Sequence, residues 1–228
     1  MENVVLPQAS LFLGIIPALL LLWISLKGYE GYYKEKNIFL TFIVGIVLGF
    51  FAAVARIIIP IAALNVILFA IFEQLFKTII LNLRRFQQKK ETAIYGLSLG
   101  LGFGSIFTPF LLTAVGSPVT EDVYIFSLIM IGSIGIILFH GASGSFIGYG
   151  IYANKLARYL IIAIAVQLPF NGIIFMTRWL FSTEYFAYLQ LGLVVYGLTF
   201  YWYTTKKIMP RILSQNIRRK RRGKKFNS

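Results

Sequence analysis

Glu73 and Lys77 are the charged residues in the sequence most able to do chemistry, because both lie inside an apolar segment. Glu73 is the only acidic residue within such a segment, and the other seven lie in connecting regions or near segment ends. Glu followed by Lys four residues later lies on one helical face in the favourable order, which predicts an intrahelical ion pair. An ionisable group inside a membrane is equally a candidate functional site, and both interpretations stand.

His140 is the single histidine, and the chain has no cysteine. A catalytic zinc site needs three protein ligands, so His140 by itself favours a hydrogen-bonded interior residue. The segment "AVQLPFNGIIF" adds Gln167 and Asn171 around a proline. The positions along their helices bring these groups to a similar depth. We therefore predict a buried polar centre made of the following residues: Glu73, Gln74, Lys77, His140, Gln167 and Asn171.

Glycines recur at intervals of four residues in two of the apolar segments. One set is Gly96, Gly100 and Gly104, and the other is Gly144 and Gly148. Small residues with this spacing let helix backbones approach closely in membrane proteins. We interpret both sets as helix-packing positions.

The composition shows what these residues are embedded in. The 228 residues are 58% hydrophobic and only 13% charged, with a mean hydropathy of +0.77. These values favour a polytopic membrane protein, with an all-α fold of seven transmembrane helices. The predicted helices lie at about 9–26, 38–58, 61–83, 93–115, 122–152, 158–179 and 186–205. The first has no basic region before it, which indicates a retained helix rather than a cleaved signal peptide.

The basic residues predict the orientation. All but three of the 22 Lys and Arg residues fall on one side of the predicted bundle, the exceptions being Arg56, Arg178 and the interior Lys77. The positive-inside rule then places the N-terminus outside and the C-terminus in the cytoplasm, as a multi-pass integral protein of the cell membrane.

The predicted domain boundaries separate a transmembrane domain, 1–207, from a basic cytoplasmic tail, 208–228. The tail is too polar to pack and is predicted to be disordered. Its charge favours contact with anionic membrane lipid. The alternative is contact with the ribosome, and no nucleic-acid-binding motif indicates a specific nucleic-acid partner.

Four segments together resemble a known family. "FEQLFK", "YGLSLGLGFGSIF", "HGASGSFIGYG" and "QLPFN" are similar, over about residues 60–180, to the PrsW intramembrane metalloproteases and to their distant relative, the Aph subunit of γ-secretase. The resemblance assigns Glu73, Lys77, His140 and Asn171 to family motif positions. It also implies an acidic residue at each of the positions occupied here by Gln74 and Phe107, and a histidine at the position of Gln167.

Those three departures favour a degenerate catalytic site. Glu73 and His140 alone would supply two zinc ligands, and amide side chains are poor substitutes. The Aph-like interpretation therefore implies a non-catalytic scaffold that stabilises or assembles a membrane complex, with a presenilin-type protease as the implied partner and no cofactor. One alternative is an active PrsW-like metalloprotease, with zinc at Glu73 and His140. A second is a small transporter or a proton or ion channel.

Overall fold

The computed structural model describes residues 5–59, 63–107, 109–110, 122–181 and 183–213. Within these ranges it contains seven α-helices and no β-strand. The helices are α1 (Val5–Leu26), α2 (Glu35–Ile58), α3 (Ala63–Leu81), α4 (Thr92–Ser105), α5 (Val123–Tyr152), α6 (Leu156–Trp179) and α7 (Tyr185–Tyr203). The all-α fold predicted from the sequence is therefore confirmed.

Four of the helices are long and apolar enough to cross a membrane. The apolar stretches are Glu35–Arg56, Leu64–Leu81, Val123–Tyr152 and Leu156–Thr177. A shorter apolar stretch, Gly14–Leu26, lies in α1. A helix needs about 20 apolar residues to span the hydrocarbon core, which these four stretches approach or exceed. The structure thus supports membrane association, while seven spans remain a prediction.

Helix α4 forms the centre of the bundle, and all of its 14 residues are buried. It packs most extensively against α5 and α2, and also contacts α1. The sequence "TAIYGLSLGLGFGS" explains this position, because small residues occur on several faces of the helix and let neighbouring backbones come close. The predicted segment 93–115 begins one residue late, and its last part, 111–115, lies outside the described residues.

The α4–α5 contact is made by the two predicted glycine sets. A Cβ atom at Gly96 would overlap the backbone of Gly144, and one at Gly148 would overlap the carbonyl of Thr92. A Cβ at Gly100 would likewise overlap the carbonyl of His140. Direct backbone contact between α4 and α5 therefore needs glycine at these positions.

Further close contacts involve glycines that the sequence analysis did not single out. On α2, Gly45 and Gly49 lie against the backbone of α4, and Gly197 of α7 lies against Gly135 of α5. Gly45 and Gly49 have the same four-residue spacing as the two sets on α4 and α5. The packing of α2 and α7 therefore uses the same device as the α4–α5 contact.

The chain continues in regular structure past the predicted domain boundary. A π-helical turn, Thr204–Ile208, and a 3₁₀ turn, Met209–Ile212, follow α7 directly. Ile208, Met209, Ile212 and Leu213 are buried in the core. Residues 208–213 thus belong to the packed domain, because their apolar side chains have a surface to cover. Residues 214–228 lie outside the described residues.

Candidate functional site

The polar centre lies among α2, α3, α5 and α6, and is formed by eight side chains: Arg56, Glu73, Gln74, Lys77, His140, Ser143, Gln167 and Asn171. All six residues predicted from the sequence belong to it and are at most 1% exposed. Each is held by a long helix, and the pairs on α3 and α6 use the four-residue spacing that puts two side chains on one face.

Both oxygens of the Glu73 carboxylate are occupied. Arg56 donates to Oε1 from Nε at 2.9 Å and from a terminal nitrogen at 2.6 Å. Gln167 Nε2 donates to Oε2. Charge-assisted hydrogen bonds of this kind are the stronger ones in proteins, so α2 and α6 are both tied to α3 at this residue.

The sequence analysis missed two residues of this site, Ser143 and Arg56, and of these Arg56 carries the charge. Its position near the end of α2 indicated the outer membrane surface, yet its side chain is only 11% exposed and turns into the bundle. It also donates to Asn171 Oδ1 at 3.0 Å, and its guanidinium lies 4.6 Å from the ring centroid of Phe69. The need of a buried carboxylate for a cation was the signal available in the sequence.

Lys77 does not form the predicted intrahelical pair with Glu73. Among the described residues, the salt bridge of Glu73 is with Arg56. Lys77 Nζ instead approaches Ser143 Oγ at 2.8 Å, His140 Nδ1 at 3.0 Å and, more distantly, Gln74 Oε1 at 3.4 Å. The lysine therefore connects α3 to α5, and its hydrogen-bond partners are neutral side chains.

His140 is enclosed by Lys77 and aromatic rings. A charged ammonium can only donate, so Nδ1 serves as its acceptor and the ring proton is assigned to Nε2. The Phe107 ring stacks on the imidazole with centroids 5.4 Å apart, and the Phe103 centroid lies at 4.8 Å. The imidazole is thus held in one orientation by packing and by one hydrogen bond.

The three positions where the resemblance implies catalytic groups lie around Glu73 and His140. Gln74 Nε2 donates to Gln167 Oε1, and Gln167 in turn donates to Glu73. Phe107 covers the His140 ring. Two of the positions therefore complete the hydrogen-bond network, and the third completes the apolar packing.

The residues present do not fit a zinc ion. Within the part of the chain that the structure describes, no group of three or more His, Cys, Asp or Glu side chains could hold a metal. Both Glu73 and His140 are bonded to cationic side chains, Arg56 and Lys77. A divalent cation would have to displace these positive charges before reaching either ligand.

Comparison of the chain with protein-family models, with curated proteins and with solved structures finds no match. The interpretation of the polar centre therefore depends on its own geometry.

Proposed function

We propose that this protein is an integral membrane scaffold without catalytic activity of its own, similar to the Aph subunit of γ-secretase. The observation that carries the proposal is the connectivity of the polar centre. Each of the six predicted side chains forms a hydrogen bond with a side chain on another helix. Arg56 and Ser143 are among these partners. Such a network stabilises one helix arrangement, whereas a hydrolytic site must leave a position open for substrate or water.

Aromatic residues support the proposal of seven spans. At one end of the bundle Trp23 and Trp202 are exposed, and at the other end Trp179, Tyr185 and Tyr188 are exposed. Trp and Tyr are enriched at the two membrane–water interfaces. The rise from Tyr185 to Tyr203 along α7 is about 27 Å, close to the thickness of the hydrocarbon core of a bilayer. Helix α7 therefore has the length of a span.

Contacts between basic connections support the proposed orientation. Arg85 donates to Asn37 Oδ1 at 2.6 Å, and Lys34 N donates to Tyr95 Oη at 3.1 Å, so the connections before α2 and before α4 adjoin. Arg211 lies 6.0 Å from the ring centroid of Tyr149 near the end of α5. We propose that this basic end faces the cytoplasm, as the positive-inside rule requires.

Two helix glycines support the proposal that a helix of another protein packs against this chain. A Cβ atom at Gly172 of α6 or at Gly192 of α7 would meet no atom within 4 Å. Glycine within a helix costs about 1 kcal/mol relative to alanine, and neither position needs it for packing inside this chain. We propose that a helix of another membrane protein approaches here, with a presenilin-type protease as the partner that the resemblance implies.

The proposal is tested by co-expressing the chain with a presenilin-type protease from the same source. We expect the His140→Ala variant to reduce the amount of assembled protease, because the variant removes the acceptor for Lys77 and the ring between Phe103 and Phe107. The purified chain should also contain no stoichiometric metal. Stoichiometric zinc, with chelator-sensitive cleavage of a transmembrane substrate that is lost in Glu73→Gln, would overturn the scaffold in favour of the metalloprotease.

A further inference from the structure

An open groove of about 900 Å³ lies at the basic end of the bundle, between the end of α1 and the end of α7. We call it the terminal groove. A hydrogen bond between Ser25 Oγ and Tyr201 Oη joins the two helices within it. The 3₁₀ turn after α7 contributes Met209 and Arg211 to its lining.

The lining combines two chemistries. Ile24, Leu198 and Trp202 are apolar or aromatic, and all three are exposed. The lining also contains four basic residues, Lys27, Lys206, Lys207 and Arg211, and no acidic residue is among its described members. The nearest acid in sequence, Glu30, accepts a hydrogen bond from Gly28 N at 2.8 Å. A ligand that matches this groove carries an anionic group attached to a hydrocarbon chain.

The position of the groove relative to the proposed membrane agrees with that chemistry. The ammonium group of Lys27 lies 3.8 Å from the ring centroid of Trp23, an exposed side chain one turn earlier on α1. Trp side chains favour the headgroup level of a bilayer, and basic side chains extend from it toward water. The basic residues are thus at phosphate depth, and Ile24 and Leu198 are on the hydrocarbon side.

We propose that the terminal groove binds one anionic phospholipid from the surrounding bilayer. The phosphate is held by Lys27, Lys206, Lys207 and Arg211, and an acyl chain lies along Ile24 and Leu198. This inference depends on the membrane location in the proposed function, and does not depend on the scaffold role. Basic pockets between helices at the cytoplasmic surface have the chemistry to bind such headgroups.

The C-terminal segment of the chain itself is a poor occupant. Residues 214–228 contain seven Lys and Arg residues and no Asp or Glu. A segment of this composition does not supply the anionic group that four cations match. A phospholipid carries the complementary charge and is present at high local concentration.

The test uses the full chain reconstituted in vesicles of equal parts phosphatidylcholine and phosphatidylglycerol, then extracted in mild detergent. Native mass spectrometry counts the lipids that remain. We expect one retained phosphatidylglycerol, and we expect the triple variant Lys206→Gln, Lys207→Gln, Arg211→Gln to lower its retention at least about tenfold, since each basic residue near a membrane surface contributes roughly fivefold to affinity.

Two charge-matched controls make the result specific to the groove. Arg84→Gln, Lys89→Gln, Lys90→Gln removes three exposed charges from the connection between α3 and α4, and Arg219→Gln, Arg221→Gln, Arg222→Gln removes three from the terminal segment. Both should retain the lipid. The variant Leu198→Trp leaves the net charge unchanged and should reduce retention of phosphatidylglycerol by filling the groove.

Equal losses in the groove variant and in either control would overturn the proposal, because they would indicate diffuse attraction only. Equal retention of phosphatidylcholine would overturn it as well. Resistance of the wild-type chain to carbonate extraction reports membrane integration separately, so failure of the lipid site can be distinguished from failure of the membrane assignment.

Discussion

The Phe107 ring lies nearly parallel to the imidazole of His140, with 17° between their planes. The position that the PrsW-like resemblance assigns to an acid thus carries an apolar ring that covers the histidine. Together with the bonds of Gln167 to Glu73 and to Gln74, this contact surrounds Glu73 and His140 with side chains of the protein itself.

Removing the cation from the buried ion pair should be costly. Arg56→Met leaves the Glu73 carboxylate buried without its charged partner, and we expect a loss of about 3–5 kcal/mol in the free energy of unfolding. Unfolding in mixed detergent micelles measures it. Glu73→Gln in the same chain should recover part of the loss, whereas Arg158→Ala, an exposed residue of α6, serves as the control. Additive losses in the double variant would contradict the pairing.

The Lys77→Met variant should behave differently. The hydrogen-bond partners of Lys77 are neutral, so replacing the ammonium with an apolar chain of similar length removes a desolvated charge along with its hydrogen bonds. We expect a change within about 1–2 kcal/mol in either direction, smaller than for Arg56→Met. A loss as large as that of Arg56→Met, measured in the same assay, would mean that an anion compensates Lys77.

Replacing single helix glycines with alanine should distinguish glycines that pack inside the bundle from glycines on its open surface. Gly144→Ala places a methyl group against the carbonyl of Gly96, and we expect a loss of at least about 2 kcal/mol in the free energy of unfolding. Gly192→Ala is the matched control, since its methyl group meets no atom of the chain. It should be neutral or stabilising by up to about 1 kcal/mol in the isolated protein. Equal effects would refute the close α4–α5 contact.

Restoring the groups implied by the resemblance should create a metal site. The triple variant Gln74→Glu, Phe107→Glu, Gln167→His adds two carboxylates and an imidazole around Glu73 and His140, which exceeds the three ligands that zinc needs. Elemental analysis of the folded variant should find about one zinc per chain. Adding Glu73→Gln should reduce it. A monodisperse triple variant without zinc would count against the family resemblance.

The proposed topology can be tested by labelling single introduced cysteines, because the chain has no native cysteine to give background labelling. We expect Val123→Cys, at an exposed position at the start of α5, to react with a membrane-impermeant maleimide from outside intact cells. Lys36→Cys and Lys225→Cys should react only after the membrane is opened. Labelling of all three from one side would contradict the alternation of the helices.

The sequence carried enough information for the all-α fold and for placing Glu73, His140 and Asn171 at one level of the helix bundle, because helical rise converts residue number into position along a helix. The sequence could not show which side chains form hydrogen bonds and salt bridges with one another. Lys77 follows Glu73 by one turn, yet Arg56 reaches the carboxylate from another helix. Its planar guanidinium donates two hydrogen bonds to Glu73 Oε1, a geometry that an ammonium lacks. The domain boundary was displaced because the segment 208–228 is basic as a whole, whereas residues 208–213 are mainly apolar and pack against the core.

The burial of α4 also bears on how the chain is made. When α4 leaves the ribosome, its neighbours α1 and α2 have already emerged, while α5 has not. The glycine face of α4 that later packs against α5 is therefore uncovered on that side during that interval. Translation through the next helix closes this gap. A released chain that ends after residue 110 should thus keep this face of α4 uncovered, and we expect chaperones and quality-control proteases to recognise it.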